Sequence, residues 1–268
     1  MKKIIGDFFQ GLNYFFRAIG FVFRNNLWWA FFIPFLLTIV FFIAGWYSIG
    51  YLIEELNVWI EQLIGAADYS WLSYIMPVLK LIIWFLLKIG FFVFFSYFNG
   101  YLVLIVLSPL LAYLSETTEK IITGKDYKFS LKQFVYEVFR GVLISIRNFF
   151  YENFIYLLLI LIVFIPIVGQ IVMLLSPIIL FFVSSYFYGF SFIDYSNERR
   201  KLNLRKSVMF VRNNKGVSIA FGSIYALILM VPFVGSFLAG LVSIVSVVAA
   251  SMWYVEKDQK KNNFLTNV

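Results

Sequence analysis

The chain has 268 residues, of which 62% are hydrophobic and only 13% charged, with a mean hydropathy of +0.88. A soluble domain carries about half apolar and about a quarter charged residues, so one water-soluble core cannot bury this excess and a bilayer is expected around the chain. With no Cys and no His, disulfides, thiol catalysis, His bases and Cys or His metal sites are excluded, and the net charge of +8 reads as the positive-inside bias of a membrane protein rather than as nucleic-acid binding.

Residues 1–24 begin Met1-Lys-Lys, but Asp7, Gln10 and Asn13 interrupt any apolar core of a secretory signal. Gln10, Asn13, Arg17, Gly20 and Arg24 recur at helical spacing, with Phe8, Phe9, Leu12, Phe15, Phe16 and Ile19 on the other side. That pattern predicts a helix lying in the membrane interface. Residues 25–53 and 71–115 are read as two long transmembrane helices. The segment 54–70 between them holds Glu54, Glu55, Glu61 and Asp68 and no Lys or Arg, which places it outside. Lys80 and Lys88 lie eight residues apart on one helix face, either snorkelling to the outer interface or luring anions to a pore mouth. Asn99 is an amide deep in apolar sequence, so it needs a partner or water.

Residues 116–153 hold Glu116, Glu119, Arg140 and further base, and read as cytoplasmic and interfacial helices. Ser130-Leu-Lys-Gln133 predicts a capped start for an amphipathic helix over 130–150. Residues 154–193 then carry no charge but are broken by Pro166-Ile-Val-Gly169-Gln170. The first arm of twelve residues is about 18 Å long at 1.5 Å per residue, short of the ~30 Å of hydrocarbon. After a basic cytoplasmic linker at 194–216, residues 217–255 repeat the plan around Pro232-Phe-Val-Gly235-Ser236. In each turn Pro ends a helix and Gly allows the reversal. Turns without charge are expected to stay in the membrane, packed in protein or lining a cavity, as half-penetrating hairpins entering from the cytoplasm. Full-length hairpins with apolar turns are the competing reading. Small residues at 235, 239 and 243, and at 236 and 240, suit close helix packing, within the subunit or between copies. The basic tail 256–268 puts both termini in the cytoplasm.

Several stretches occur in a recognisable order: "GLNYFFRAIGFVFRNNLWWAFFIP" at 11–34, "SPLLAYLSETTEKIITG" at 108–124 and "IPIVGQ" at 165–170, then "DYSNERRKLNLRKSVMFVRNNKG" at 194–216, "FGSIYALILMVP" at 221–232 and "AASMW". In this set the chain resembles, nearly end to end, the CysZ sulfate-transporter family, also known as the etoposide-induced-protein-like membrane family. The resemblance implies an all-α membrane protein: two long transmembrane helices and two half-penetrating hairpins, assembled as a homo-oligomer. It implies passive or gradient-driven sulfate uptake across the bacterial inner membrane without ATP. A small inorganic anion and membrane lipid are then the partners, and no cofactor, metal or catalytic residue is expected. The family's oxyanion site lies just before the first transmembrane helix, where backbone N–H groups and two Arg bind the anion. The matching residues here are Asn26, Leu27, Trp28 and Trp29, with Arg24 nearby and Trp in place of both Arg. Glu116, Glu119 and Arg140 match residues lining the family's polar way in from the cytoplasm, and Asn99 and Gln170 are further candidates for pore lining. Competing readings are a membrane scaffold or lipid-organising protein, favoured by 34 Phe and basic interfacial helices, or a transporter of changed substrate.

Overall fold

A computed structural model describes residues 2–65, 72–124, 130–231 and 234–266, and every regular element among them is helical. In chain order these are α1 (Lys2–Arg24), a 3-10 turn (Trp28–Phe31), α2 (Phe32–Gly65), α3 (Leu72–Val106), α4 (Ser108–Thr123), α5 (Leu131–Val163), α6 (Val168–Arg199), α7 (Leu204–Asn213), α8 (Lys215–Leu229) and α9 (Val234–Thr266). Among the described residues five helices are long and apolar enough to cross a membrane, namely α2, α3, α5, α6 and α9.

The chain forms two compact units, 36–99 and the remainder. In the first, α2 and α3 pack antiparallel through Phe42, which meets Phe91, Phe92 and Phe95. Gly45 leaves room for the Phe91 ring, which a Cβ there would meet at 2.6 Å. Lys80 pairs with Glu61, and Lys88 lies 3.5 Å from the Trp46 ring centroid. Both lysines are thus engaged within their own unit.

In the second unit α9 is central, packed by α1, α4, α6 and α8. Its Ala239, Ser243, Val247 and Ala250 are fully buried. A Cβ on Gly240 would meet Pro34 at 2.1 Å, so the small residues of this helix serve contacts within the subunit. Helix α1 buries Gly11, Tyr14, Ala18 and Val22 against this core and leaves Phe9, Phe16 and Phe23 exposed. Phe15 is buried with them, and Gly11 lets the neighbouring helix approach closely: a Cβ at Gly11 would meet Ala220 Cβ at 2.6 Å.

Two segmentations differ from the sequence reading. The long helix expected over 71–115 breaks at Leu107, where the last turns of α3, Gly100–Val106, meet α4 at 67°. Pro109 supplies no N–H to the Ile105 carbonyl, and the Ser108 hydroxyl donates to it instead at 2.8 Å. The amphipathic helix over 130–150 and the twelve-residue arm after it are one helix of 33 residues, α5. No Gly or Pro interrupts 142–165, and the polar residues near 152 are satisfied by neighbouring helices, so the change in composition is no structural boundary. Likewise α6 runs on through the polar residues 194–199. Both turn glycines are required: a Cβ at Gly169 would meet the Val163 carbonyl at 1.9 Å, and one at Gly235 the Ile228 carbonyl at 2.1 Å. Ile167 beside Pro166 takes φ 67. Pro232 lies outside the described residues.

Candidate functional site

Helices α5 and α6 run antiparallel, and their contact is lined with polar side chains. On α5, Gln133, Glu137, Arg140, Asn148, Glu152 and Tyr156 recur at steps that return to one face. Ser184, Ser191, Asp194 and Glu198 do the same on α6. Glu137, Arg140, Asn148, Glu152, Asp194 and Glu198 are all 9% exposed or less. Burial of such groups is tolerated only when they are paired or hydrogen-bonded. At one end Gln133 Nε2 donates to Glu137 at 3.1 Å and to Glu198 at 2.8 Å. Next, the Arg140 guanidinium grips both oxygens of Asp194, at 2.9 and 3.1 Å, and donates to Ser207 and to the Leu202 carbonyl. Asn148 then donates to the Phe187 carbonyl and to Ser191. At the far end Tyr101, Tyr156 and Ser184 all donate to the Glu152 carboxylate. Among the described residues no basic side chain forms an ion pair with Glu152. From Gln133 to Tyr156 this seam is about 35 Å long at 1.5 Å per residue.

A second polar cluster joins α4, α6 and α9. Glu119 accepts from Arg199 at 2.8 Å and pairs with Arg200 at 3.2 Å. Arg199 also donates to Ser115, which bonds Ser251 at 2.7 Å. One guanidinium nitrogen of Arg199, Nη1, is buried without a partner. Burial opposes the charge on Arg200, but the carboxylates of Glu119 and Asp258 outweigh it and leave its pKa raised. Nearby, burial and the hydrogen bond to Glu256 push the Tyr14 phenol up to about 12. Arg17 pairs with the same Glu256, and Lys257 donates to Asn214.

The residues matched to the family's oxyanion site form the link between α1 and α2. Arg24 ends α1, and Asn26 takes φ 56. The Asn26 amide donates to the Phe23 carbonyl and the Leu27 amide to that of Val22, so two of the four backbone donors close α1. Leu27 is buried. The amides of Trp28 and Trp29 open the 3-10 turn, where a helical start leaves N–H groups free. Trp28 contacts Phe32, Trp29 contacts Tyr113, and both indoles are exposed at 47% and 40%, as interfacial anchors are.

Arg140 and Glu119 thus lie in the two buried networks, and Glu116 is half-buried on α4 with Glu137 and Arg199 as electrostatic neighbours. Gln170 is exposed beside the hairpin turn, and the Asn99 side chain lies outside the described residues. Glu137, Glu152, Asp194, Glu198 and Arg199 are not singled out by the sequence reading. The four-residue spacing of Asn148, Glu152 and Tyr156 is the signal the sequence offers for the seam.

The fold and these networks define a multi-helix membrane protein with an internal polar seam. A family model described as sulfate transporter CysZ/etoposide-induced protein 2.4 matches residues 14–239, and the chain belongs to that family. Relatives named "Sulfate transporter CysZ" include one from Vibrio cholerae, 27% identical over 224 residues covering 82% of this chain and 84% of the relative. One from Vibrio atlanticus is 28% identical over 222 residues, covering 79% and 81%. One from Pseudomonas fluorescens is 24% identical over 234 residues, covering 86% of each chain.

Proposed function

We propose that the protein passes a small oxyanion, sulfate by the family's name, across the bacterial inner membrane. The observation that carries this reading is the α5–α6 seam, a line of buried carboxylates, amides and one guanidinium along an apolar hairpin. Arg140 holds the Asp194 carboxylate by the same paired N–H donors that a guanidinium offers to an oxyanion. At Arg140 an oxyanion would compete with Asp194 for these donors, a step that needs no covalent chemistry and no ATP. Glu116, Glu119 and Arg140 form its cytoplasmic approach in this reading, with Gln170 as further lining. The anion site just before α2 is, in this reading, the amide pair at Trp28 and Trp29 with Arg24, after Asn26 and Leu27.

The topology proposed with it is two long transmembrane helices, α2 and α3, and two half-penetrating hairpins, α5–α6 and α8–α9. The 15 residues of α8 give about 22 Å, too short to cross, which supports the second hairpin. Both termini are placed in the cytoplasm. In support, Arg17 meets Glu256, Arg200 meets Asp258 and Lys257 meets Asn214, gathering the basic segments at one pole of their unit. A homo-oligomer would use faces other than the small-residue stripe of α9, which is occupied within the subunit.

The test is uptake of radiolabelled sulfate into liposomes holding the purified protein, with chloride, phosphate and sulfite as competitors. Uptake above empty vesicles is expected. A folded, inserted protein that takes up none would overturn the reading, and the dependence on an imposed gradient separates passive from driven flux.

A further inference from the structure

Five bases follow the end of α6: Lys201, Arg205, Lys206, Arg212 and Lys215. All five are exposed, and none forms an ion pair among the described residues. The chain supplies no local counter-charge, since 201–255 holds no Asp or Glu. Arg205, Lys206 and Arg212 lie on α7, whose residues divide into two faces. On the inner face Ser207 and Val211 are buried, and Ser207 accepts from Arg140 at 2.7 Å. Phe210 stacks on Tyr254 with ring centroids 4.7 Å apart. On the opposite face Arg205, Met209 and Arg212 follow at steps of four and three, with Lys206 and Asn213 alongside. Met209, at the centre of this outer face, is 60% exposed, and Leu204 at its edge is 46% exposed.

The place of α7 in the fold decides what can cover that face. Helix α6, apolar enough to cross a membrane, ends at Arg199, and α7 begins at Leu204. Helix α7 ends at Asn213, and the apolar α8 begins at Lys215. With both ends tied to apolar helices, α7 cannot lie far from a bilayer. Its end also adjoins the start of α1: a Cβ on Gly216 would meet the Ile4 carbonyl at 2.3 Å. There α1 exposes Ile5 and Phe9 together with Lys2 and Lys3. Apolar side chains set among unpaired bases, on neighbouring helices, match the two layers of an anionic leaflet, phosphates above and acyl chains below. A nucleic acid or an acidic protein would satisfy the bases and leave Met209, Ile5 and Phe9 uncovered.

We propose that the outer face of α7 is a docking surface for anionic phospholipid. Arg205, Lys206 and Arg212 pair with headgroup phosphates, and Met209 inserts between the headgroups. Because the inner face of the same helix holds Arg140 through Ser207, lipid bound outside steadies the Arg140 end of the seam. The surface stands apart from the transport reading and does not depend on the solute.

The experiment uses the full-length protein in nanodiscs of phosphatidylcholine and phosphatidylglycerol, with one lipid or the other brominated. N213C provides the chain with a single cysteine on the outer face of α7, beside Met209, for an environment-sensitive fluorophore that bromine quenches on contact. At equal mole fraction, quenching is expected to report a preference for phosphatidylglycerol of at least about fivefold, the factor that one base near an anionic surface supplies. R205Q/K206Q/R212Q should abolish the preference while leaving the label quenched, and rising ionic strength should shrink it. The same label at F164C, on the exposed turn of the first hairpin, should show no preference. Equal quenching by the two lipids at N213C, a preference that survives the triple variant, or no quenching by either lipid would each overturn the proposal. Should the triple variant fail to fold, the salt dependence still tests the three bases on a chain that retains them.

Discussion

Arg140 and Asp194 form a two-pronged ion pair, with side chains 11% and 4% exposed, between helices whose residues lie 54 positions apart in the chain. Removing one partner of such a pair leaves an uncompensated charge, at a cost of about 3–5 kcal/mol, whereas replacing both by apolar groups is often far milder. R140M and D194L alone should each lower the thermal unfolding midpoint in detergent markedly. The double variant should recover much of that loss. Equal, additive losses would mean that the two residues do not act as a pair.

The two hairpin turns make a sharper steric demand. G169A and G235A place a methyl group against a backbone carbonyl at 1.9 and 2.1 Å, and backbone cannot yield as a side-chain end can. Each is expected to destabilise the protein by about 2 kcal/mol or more, within the range that strain and overpacking produce. G6A is the comparison, because nothing lies within 4 Å of a Cβ there and alanine favours a helix by about 1 kcal/mol over glycine. Thermal midpoints of the three variants, measured side by side, check the ordering.

Hydropathy alone assigns the chain to a membrane, and the repeated Pro-x-Val-Gly locates two reversals whose glycines the structure requires. Charge is a poorer guide to helix ends. In sequence Glu152 and Asp194 mark the edges of an apolar block, yet each is satisfied by donors from other helices, Tyr101 and Ser184 for the first and Arg140 for the second. Those partners stand 32 to 54 residues away, beyond any local pattern. The orientation of α1 is hidden for a similar reason. Gly11 and Ala18 form the docking face because Ala220 and its neighbours approach closely, while the bulkier Phe9 and Phe16 turn outward.

The family resemblance implies an oxyanion site with two Arg at the positions that Trp28 and Trp29 occupy here. Both indoles are substantially exposed, at 47% and 40%, so a longer cationic side chain meets no packed wall there. W28R/W29R should therefore fold and should raise sulfate affinity by about tenfold, since charge-assisted bonds from Arg are among the stronger ones. The gain should shrink as ionic strength rises. Equilibrium binding of radiolabelled sulfate to the purified variants checks it. Unchanged affinity would remove this link from the proposed path.

The depth of the hairpin turns is testable because the natural chain has no cysteine. Val168 and Val234 are 48% and 54% exposed on the protein surface, so access to a thiol at either position depends on the surrounding bilayer and not on burial in protein. If the hairpins enter from the cytoplasm and stop within the membrane, V168C and V234C in intact cells should resist an impermeant maleimide and react with a lipid-soluble one. E55C, in the acidic segment assigned to the outside, should react with both. Ready labelling of the two turn positions by the impermeant reagent would mean that the hairpins cross completely. The protein would then have two more external turns, and the apolar side chains at those turns would need cover from a partner.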